Sequence, residues 1–159
     1  MENRYLLRAK KDTGEWGIGY VSRPHCTDTE KGIKSFYFFE ATKRGVYEQC
    51  IVLADTICQC TGLKDKNGKL IWENDILMCH GNPEDLVKVV FGEFNVINAE
   101  TLEVIDRVIG WHYEVVPTDA LSKCEPFCFP MPLTEEYVKT CEMEVVDNQE
   151  LLEGSYDRE

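Results

Sequence analysis

The sequence predicts a mainly β protein built around a small barrel or sandwich. Short runs of β-branched and aromatic residues recur at intervals of about eight to twelve residues, and turn compositions separate them. The chain lacks the long amphipathic helices that parallel crossovers need. No fixed repeat and no low-complexity linker divides it. These observations disfavour a doubly wound α/β fold and indicate antiparallel hairpins with a few short helical turns.

The first third of the chain is predicted to form two hairpins. Each consists of two apolar runs around a turn composition: 4–9 with 15–20, and 36–39 with 46–53. Residues 22–34, which lie between the two hairpins, are polar, contain Pro24 and Gly32, and show no periodicity. This segment is therefore predicted to be a loop.

The rest of the chain contains the strongest turn signal, Asn67-Gly68, which predicts a type I′ hairpin turn because both residues tolerate a positive φ. Gly92-Glu93 predicts a second hairpin turn. Strands are predicted at 57–61, 70–72, 76–79, 87–91, 94–98, 101–117 and 143–146. Thr134 is a plausible N-cap for a helix over 135–141, and short helical turns are predicted at 118–124 and 148–152.

Composition and charge exclude several classes of protein. With 159 residues, 43% of them hydrophobic, the chain can form a substantial core and is not disordered as a whole. It has no run of about 20 apolar residues and no apolar segment near its start, so we expect a cytoplasmic protein. The net charge of −12 disfavours general nucleic-acid binding, although about half of it lies in residues 142–159.

The cysteines are expected to be reduced thiols without a metal. There are eight: Cys26, Cys50, Cys58, Cys60, Cys79, Cys124, Cys128 and Cys141. No CxxC pair exists, whereas structural zinc sites usually use two such pairs. The adjacent couples His25-Cys26 and Cys79-His80 are weak candidates for a nucleophile and its base, because neighbouring side chains diverge on a strand.

Common catalytic signatures are absent from the sequence, including GxxxxGK[ST], GxGxxG, HExxH and GxSxG. His112 lies between two aromatic residues and is interpreted as a strand residue. Asp65, Glu73 and Asp75 could form a carboxylate cluster for a metal, but turn chemistry explains them better. Five aromatic residues are interpreted as core residues in preference to platforms on which bases stack. They are Trp16, Tyr20, Phe36, Phe38 and Trp72.

Residues 59–77 read QCTGLKDKNGKLIWENDIL. They resemble the core of the YopX proteins of bacterial phages and prophages, approximately Q-x-T-G-L-x-D-x-N-G-x-x-I-aromatic-E-G-D-I. The matching residues are Gln59, Thr61, Gly62, Leu63, Asp65, Asn67, Gly68, Ile71, Trp72, Glu73, Asp75 and Ile76. Asn74 replaces the family's usual glycine, and asparagine also tolerates left-handed backbone.

Both ends of the chain are similar to the same family. Near the start the matching residues are Arg4, Tyr5, Leu6, Arg8, Ala9, Gly14, Glu15, Trp16, Gly19 and Tyr20. Residues 144–148 with 150–152 look like the closing V-I-G-N…E-L-L pattern, with Asp147 in place of glycine. Residues 22–34 and 100–141 look peculiar to this chain.

The resemblance implies a mainly β architecture whose later part is an SH3-like barrel. It implies no activity, because the family has no settled biochemical function. We expect an N-terminal β-hairpin subdomain over 1–56 and an SH3-like barrel over 57–153, with an inserted segment at about 100–141. Residues 154–159 form an acidic tail.

The expected function is that of a non-catalytic phage or prophage accessory protein that acts as a protein-binding module. Its partner would be a host or phage protein, and neither a catalytic residue nor a cofactor is assigned. Two alternatives remain. One is a nucleic-acid-associated regulator that uses Lys64, Lys66 and Lys69, and the other is a small hydrolase with a deep polar pocket. Homo-oligomer formation is left open.

Recognition is expected on exposed segments rather than in the 61–69 hairpin, whose residues already have structural purposes. The candidate segments are 22–34 and 123–134. The second contains Phe127, Phe129, Met131 and Leu133. Packing of these four on the barrel is favoured over exposure to a partner, because large apolar patches are uncommon on monomers.

Overall fold

The chain divides into two units, Met1–Gly62 and Leu63–Glu159, in a computed structural model that describes residues 5–117 and 129–147. Both units are mainly β, as the sequence predicts. The strands form two antiparallel sheets, one of six strands and one of five. Within the described residues, no helix is long and apolar enough to cross a membrane.

The elements follow the predicted order. In the first unit they are β1 (Leu7–Lys10), β2 (Trp16–Asp28), β3 (Gly32–Ala41), β4 (Tyr47–Leu53) and a 3₁₀ turn (Ala54–Thr56), and β5 (Cys58–Lys64) leads into the second unit. The second unit then contains β6 (Leu70–Trp72), β7 (Ile76–Met78), β8 (Leu86–Ile97), β9 (Val104–Val115), β10 (Met131–Pro132), α1 (Glu135–Thr140) and β11 (Glu144–Val145). The strand order is β4-β3-β2-β1-β5-β6 in the first sheet and β10-β9-β8-β7-β11 in the second.

The first four strands curl around a small core. Ala9, Phe38 and Val52 are fully buried there. Lys11, just after β1, forms an isolated antiparallel bridge to Val52 in β4. The backbone N–H of Asp12 also donates to the Ile51 carbonyl over 3.2 Å. The end of β1 therefore returns to β4 and encloses the inner face of the sheet.

Close approach of β2 and β3 explains one of the buried glycines on this inner face. A Cβ atom on Gly19 would lie 1.9 Å from the carbonyl oxygen of Phe39, so no other residue fits without movement of the backbone. A Cβ atom on Gly17 would meet only the flexible carboxylate of Glu40, at 3.2 Å. This carboxylate accepts a 3.0 Å bond from Lys11, which raises the pKa of the lysine.

The prediction of a loop over 22–34 is wrong. Strands β2 and β3 continue through it as a hairpin with register irregularities, pairing Pro24 with Phe36 and Thr27 with Ile33. The Asp28 carboxylate closes the turn by accepting from the backbone N–H of Glu30 at 2.9 Å. Because both faces of most of this hairpin are exposed, the sequence has no apolar alternation to mark it as strand.

The core of the second unit lies on one face of its sheet. It includes Ile71, Leu77, Val89 and Met143, all with no exposed surface. Helix α1 adds Val138 to this core and begins as predicted, because the Thr134 hydroxyl accepts from the Tyr137 N–H at 3.2 Å. The closing strand β11 pairs with β7.

The predicted hairpin turn at Gly92-Glu93 is also wrong. Strand β8 runs continuously through it and pairs with β9, with Gly92 opposite Gly110. The turn between these strands lies at 98–103, where the Asn98 side chain accepts from the backbone N–H of Glu100 at 2.8 Å. Gly92-Glu93 was interpreted as a turn because glycine between two apolar runs is typical of turns, but an isolated glycine also occurs within a strand.

The five-stranded sheet does not show the closure of a barrel. In the part of the chain that the structure describes, β10 and β11 each pair with a single strand and form its two edges. The predicted helical turns at 118–124 and 148–152 lie outside the described residues, as do Cys124, Phe127 and Cys128. The first sheet contains the predicted N-terminal hairpins, and the second contains β9, β10 and α1 from the segment at about 100–141.

Candidate functional site

The residues that resemble the YopX core centre on the 61–69 hairpin, and the buried carboxylate of Asp65 holds this hairpin in place. Asp65, 6% exposed, accepts from the backbone N–H groups of Asn67 and Lys69, both at 2.9 Å. Its second oxygen accepts from the N–H of Val145 in β11, at 3.0 Å. One side chain thus shapes the turn and attaches it to a strand 80 residues further along the chain. Three charge-assisted bonds to backbone explain why an acid is buried here.

The turn itself differs from the predicted type I′. A type I′ turn needs a positive φ at both central residues. Asn67 does not have a positive φ, whereas Gly68 has a φ of 81°. The Gly68 N–H donates to the Asp65 carbonyl at 2.9 Å, and the Asp65 N–H donates to the Lys69 carbonyl at 2.8 Å. A tight turn followed by one left-handed glycine is the usual form of a three-residue hairpin loop.

A second turn follows at Glu73-Asn74-Asp75, as predicted. Asn74 adopts the left-handed backbone, with a φ of 66°, that the family's usual glycine would also provide. The Asp75 carboxylate is buried and accepts from the Trp72 N–H at 2.9 Å. Asp65 and Asp75 therefore bind backbone amides. Among the described residues, no group of three or more His, Cys, Asp or Glu side chains is arranged to hold a metal ion.

The lysines of the hairpin are engaged by acidic residues near the end of the chain. Lys66 forms an ion pair with Glu144, and Lys69 forms one with Asp147. The hydrogen bond to Glu144 raises the pKa of Lys66. Two of the three lysines proposed as an anion-binding patch are thus neutralised, which weakens the case for a phosphate contact at this hairpin.

In the two cysteine and histidine couples, both within the described residues, no hydrogen bond joins the thiol to the imidazole. Cys79 is buried, and burial raises the pKa of its thiol to about 12, so it stays protonated at neutral pH. His80 follows with a left-handed backbone, a φ of 52°. His25 contacts the Ser35 hydroxyl through Nδ1 at 3.1 Å, beside an exposed Cys26. His112 is buried in β9, stacked on Phe94 with ring centroids 4.5 Å apart.

The aromatic residues predicted as core divide into two groups. Phe38 and Trp72 are buried and Phe36 packs against the core, in agreement with the prediction. Trp16 and Tyr20 are instead 52% and 37% exposed. The prediction was wrong for these two because β2 places glycines inward at 17 and 19, so its aromatic side chains point outward.

The segment 123–134 is only partly described. Leu133 is buried in the core of the second unit, and Met131 packs against it. The prediction that the apolar residues of this segment pack on the second unit is thus confirmed for Leu133 and Met131. These two residues are no longer candidates for recognition. Residues 123–128 lie outside the described part of the chain.

The far part of the β8–β9 hairpin, residues 91–109, is a surface that the sequence analysis did not single out; we call it the β8–β9 arm. Its most exposed apolar residues are Ile109 (75%), Ile105 (65%) and Val104 (57%). On the other edge of β9, β10 pairs as far as His112, and the last bond goes from the Leu133 N–H to the Trp111 carbonyl. Among the described residues, β9 therefore pairs over 104–110 only with β8. The outer edge of β9 thus has no partner strand there within residues 5–117 and 129–147.

A signal for the β8–β9 arm existed in the sequence. The run 104–109 has apolar residues at both alternating positions, which a half-buried strand does not require. Without the register, that run reads as an ordinary core strand. Only the observed pairing of Glu93 with Ile109, and of Asn95 with Arg107, reveals that the strand extends beyond its core.

Comparison with known protein families matches residues 8–128 to the YopX proteins. The match covers most of the chain, including residues 22–34 and much of 100–141, so the chain belongs to the YopX family. Comparisons with curated proteins and with solved structures give no significant match.

Proposed function

We propose that this YopX protein is a non-catalytic accessory protein of a phage or prophage that acts in the cytoplasm as a protein-binding module. The observation that carries the proposal is the β8–β9 arm, where four large apolar side chains are about half exposed or more; they are Phe91, Val104, Ile105 and Ile109. Large apolar side chains that are exposed together on one hairpin support an interaction site there.

The open edge of β9 supports the same proposal. The Trp111 carbonyl accepts from Leu133, so the backbone groups of Trp111 point away from β8. With the two-residue period of a strand, the backbone groups of Ile109 and Arg107 point outward too. A partner that adds an extended segment here would pair with them and cover Ile105 and Ile109, the mode known as β-strand addition.

The SH3-like barrel that the family resemblance implies is part of this proposal. In that interpretation the five-stranded sheet is the barrel wall, β11 is the strand that completes it, and the β8–β9 arm is a long loop of the barrel. Such barrels host peptide contacts among others, so the fold allows a protein partner without specifying one.

The test is capture of partner proteins by the full chain and by the double variant Ile105→Lys/Ile109→Lys. Lysines on an edge strand oppose pairing with another chain, so the variant should remain folded and lose the partner. The matched control is Val46→Lys, which places a lysine at an apolar residue of the first unit that is also 53% exposed. Capture retained by a folded double variant would refute the β8–β9 arm as the binding surface.

A further inference from the structure

The outer face of the first sheet has an unusual composition. The register places these residues on one side: Arg8, Lys10, Trp16, Ile18, Tyr20, Ser35, Tyr37, Phe39, Ala41, Tyr47, Gln49, Ile51 and Leu53. We call this surface the aromatic face. It contains five aromatic rings, two cations and no carboxylate.

Four of the five rings of the aromatic face are accessible. Tyr47, Trp16, Phe39 and Tyr20 are 57%, 52%, 40% and 37% exposed, and the rings of Tyr20 and Tyr47 lie 5.9 Å apart. Tyr20 is directly opposite Phe39 across the β2–β3 pair. These four side chains lie on the same side of three adjacent strands, and two of them, Tyr20 and Tyr47, form a ring pair.

Positive charge lies among the rings. The Arg8 guanidinium is 5.1 Å from the centre of the Trp16 ring, and that of Arg23 is 4.9 Å from the centre of Tyr37. Lys10 lies opposite Trp16 and is exposed. Neither Lys10 nor Arg23 makes an ion pair with any residue in the described ranges.

The protein's negative charge is not shared equally by the two units. Residues 1–62 contain nine basic and eight acidic residues, whereas residues 63–159 contain eight basic and twenty-one acidic ones. The net charge of −12 therefore belongs to the second unit. It argues against nucleic-acid binding there and does not argue against it on the first unit.

We propose that the aromatic face binds single-stranded nucleic acid without strong sequence preference. Bases stack on exposed rings and phosphates lie beside cations, and the aromatic face offers both kinds of group. An acidic protein segment would use the cations but would leave most of the rings without a matching group. The proposal is independent of the protein partner assigned to the β8–β9 arm.

The test uses the full chain and a fluorescent oligothymidylate of about twenty nucleotides, followed by anisotropy at low salt. Tyr47→Ala and Tyr20→Ala should each weaken binding roughly five- to 150-fold, the range for loss of one base–aromatic stack. Phe91→Ala is the matched control, because it removes a 48% exposed ring from the second unit. It should leave the affinity unchanged.

A salt titration supplies a second readout that needs no aromatic variant. Two phosphate contacts, through Lys10 and Arg23, predict a slope of about −1.4 for the logarithm of the binding constant against that of the salt concentration. Lys10→Gln should make this slope shallower by about 0.7. Lys10 is exposed, so this variant is expected to fold.

Three results would overturn the proposal. One is no binding of the oligonucleotide at low salt, and another is equal affinity in the Tyr47, Tyr20 and Phe91 variants. The third is complete displacement of the oligonucleotide by poly-glutamate at the same concentration of charge, together with an unchanged oligonucleotide affinity in Tyr47→Ala. That result would identify a surface for acidic protein.

Discussion

The hairpin at 61–69 and the β8–β9 arm contrast in how they use their side chains. In the hairpin a polar residue, Asp65, is buried and its carboxylate accepts three hydrogen bonds from backbone N–H groups. In the β8–β9 arm apolar residues such as Ile105 and Ile109 lie in solvent. Among the residues that identify the family, Asp65 therefore maintains the fold, and the surfaces that we propose for recognition lie elsewhere.

The largest effect that would sharpen this contrast is expected at Asp65. Asp65→Ala removes the acceptor for three N–H groups, and each charge-assisted bond contributes about 1.5–3 kcal/mol. We expect the free energy of unfolding to fall by about 3 kcal/mol or more in urea titrations.

Asp147→Ala is the control for this substitution. It removes an exposed carboxylate that pairs with Lys69 of the same hairpin, and exposed pairs contribute about 0–1 kcal/mol. If the two variants lost similar stability, the buried hydrogen bonds of Asp65 would not be what holds the hairpin.

A smaller loss is expected from the inner face of β2. Gly19→Ala places a Cβ atom against the Phe39 carbonyl. Because this is a clash with backbone, β2 and β3 must move apart to relieve it. We expect a loss of about 2–3 kcal/mol, within the range for overpacked positions. Gly17→Ala is the control: its Cβ atom would meet only the movable Glu40 carboxylate, so the loss of stability should be clearly smaller. Equal losses for the two variants in thermal unfolding would contradict the close approach of β2 and β3.

The buried groups of the second unit predict a decline in stability at alkaline pH. Burial raises the pKa of Cys79 to about 12, from an ordinary value of 9.0, and also raises the pKa of Tyr113. Their contribution to stability is complete below the unfolded pKa, near pH 9 for the thiol, and is lost as the pH rises towards the folded pKa.

Each such group can contribute about 1.4 kcal/mol per pH unit to this decline. Cys79→Ala should therefore give a shallower fall in the free energy of unfolding between about pH 9 and pH 11 than the unchanged chain. An identical slope in both proteins would show that Cys79 ionises as readily in the folded state as in the unfolded one.

The sequence predicted the mainly β class and the order of most strands, because β-branched and aromatic runs mark strands locally. It also predicted the roles of Asp65 and Asn74, since turn chemistry depends on near neighbours. The Thr134 cap belongs to the same group.

What the sequence could not predict depends on register. The continuous path of β8 through Gly92 requires its partner Gly110, and the exposure of Trp16 requires that the glycines of β2 face inward. The hairpin over 22–34 is stabilised by backbone pairing with little apolar burial, so no periodicity announces it. For the same reason the candidate surfaces became visible only in the structure.

The smallest stability effect is expected on the β8–β9 arm itself. Ile105→Lys/Ile109→Lys alters side chains that are 65% and 75% exposed, so the free energy of unfolding should change by no more than about 0.5 kcal/mol per site. A loss of several kcal/mol in urea titrations would mean that these side chains pack within the chain and are not a free surface.

The most direct test of the central claim compares partner capture by two folded variants. Gly68→Ala strains the hairpin turn, where φ is 81° and a Cβ atom meets nothing within 4 Å, and Ile105→Lys/Ile109→Lys alters the β8–β9 arm. With folding verified by circular dichroism, we predict that Gly68→Ala captures the partner as the unchanged chain does, whereas the double variant does not. Capture lost in folded Gly68→Ala and kept in the double variant would contradict the account.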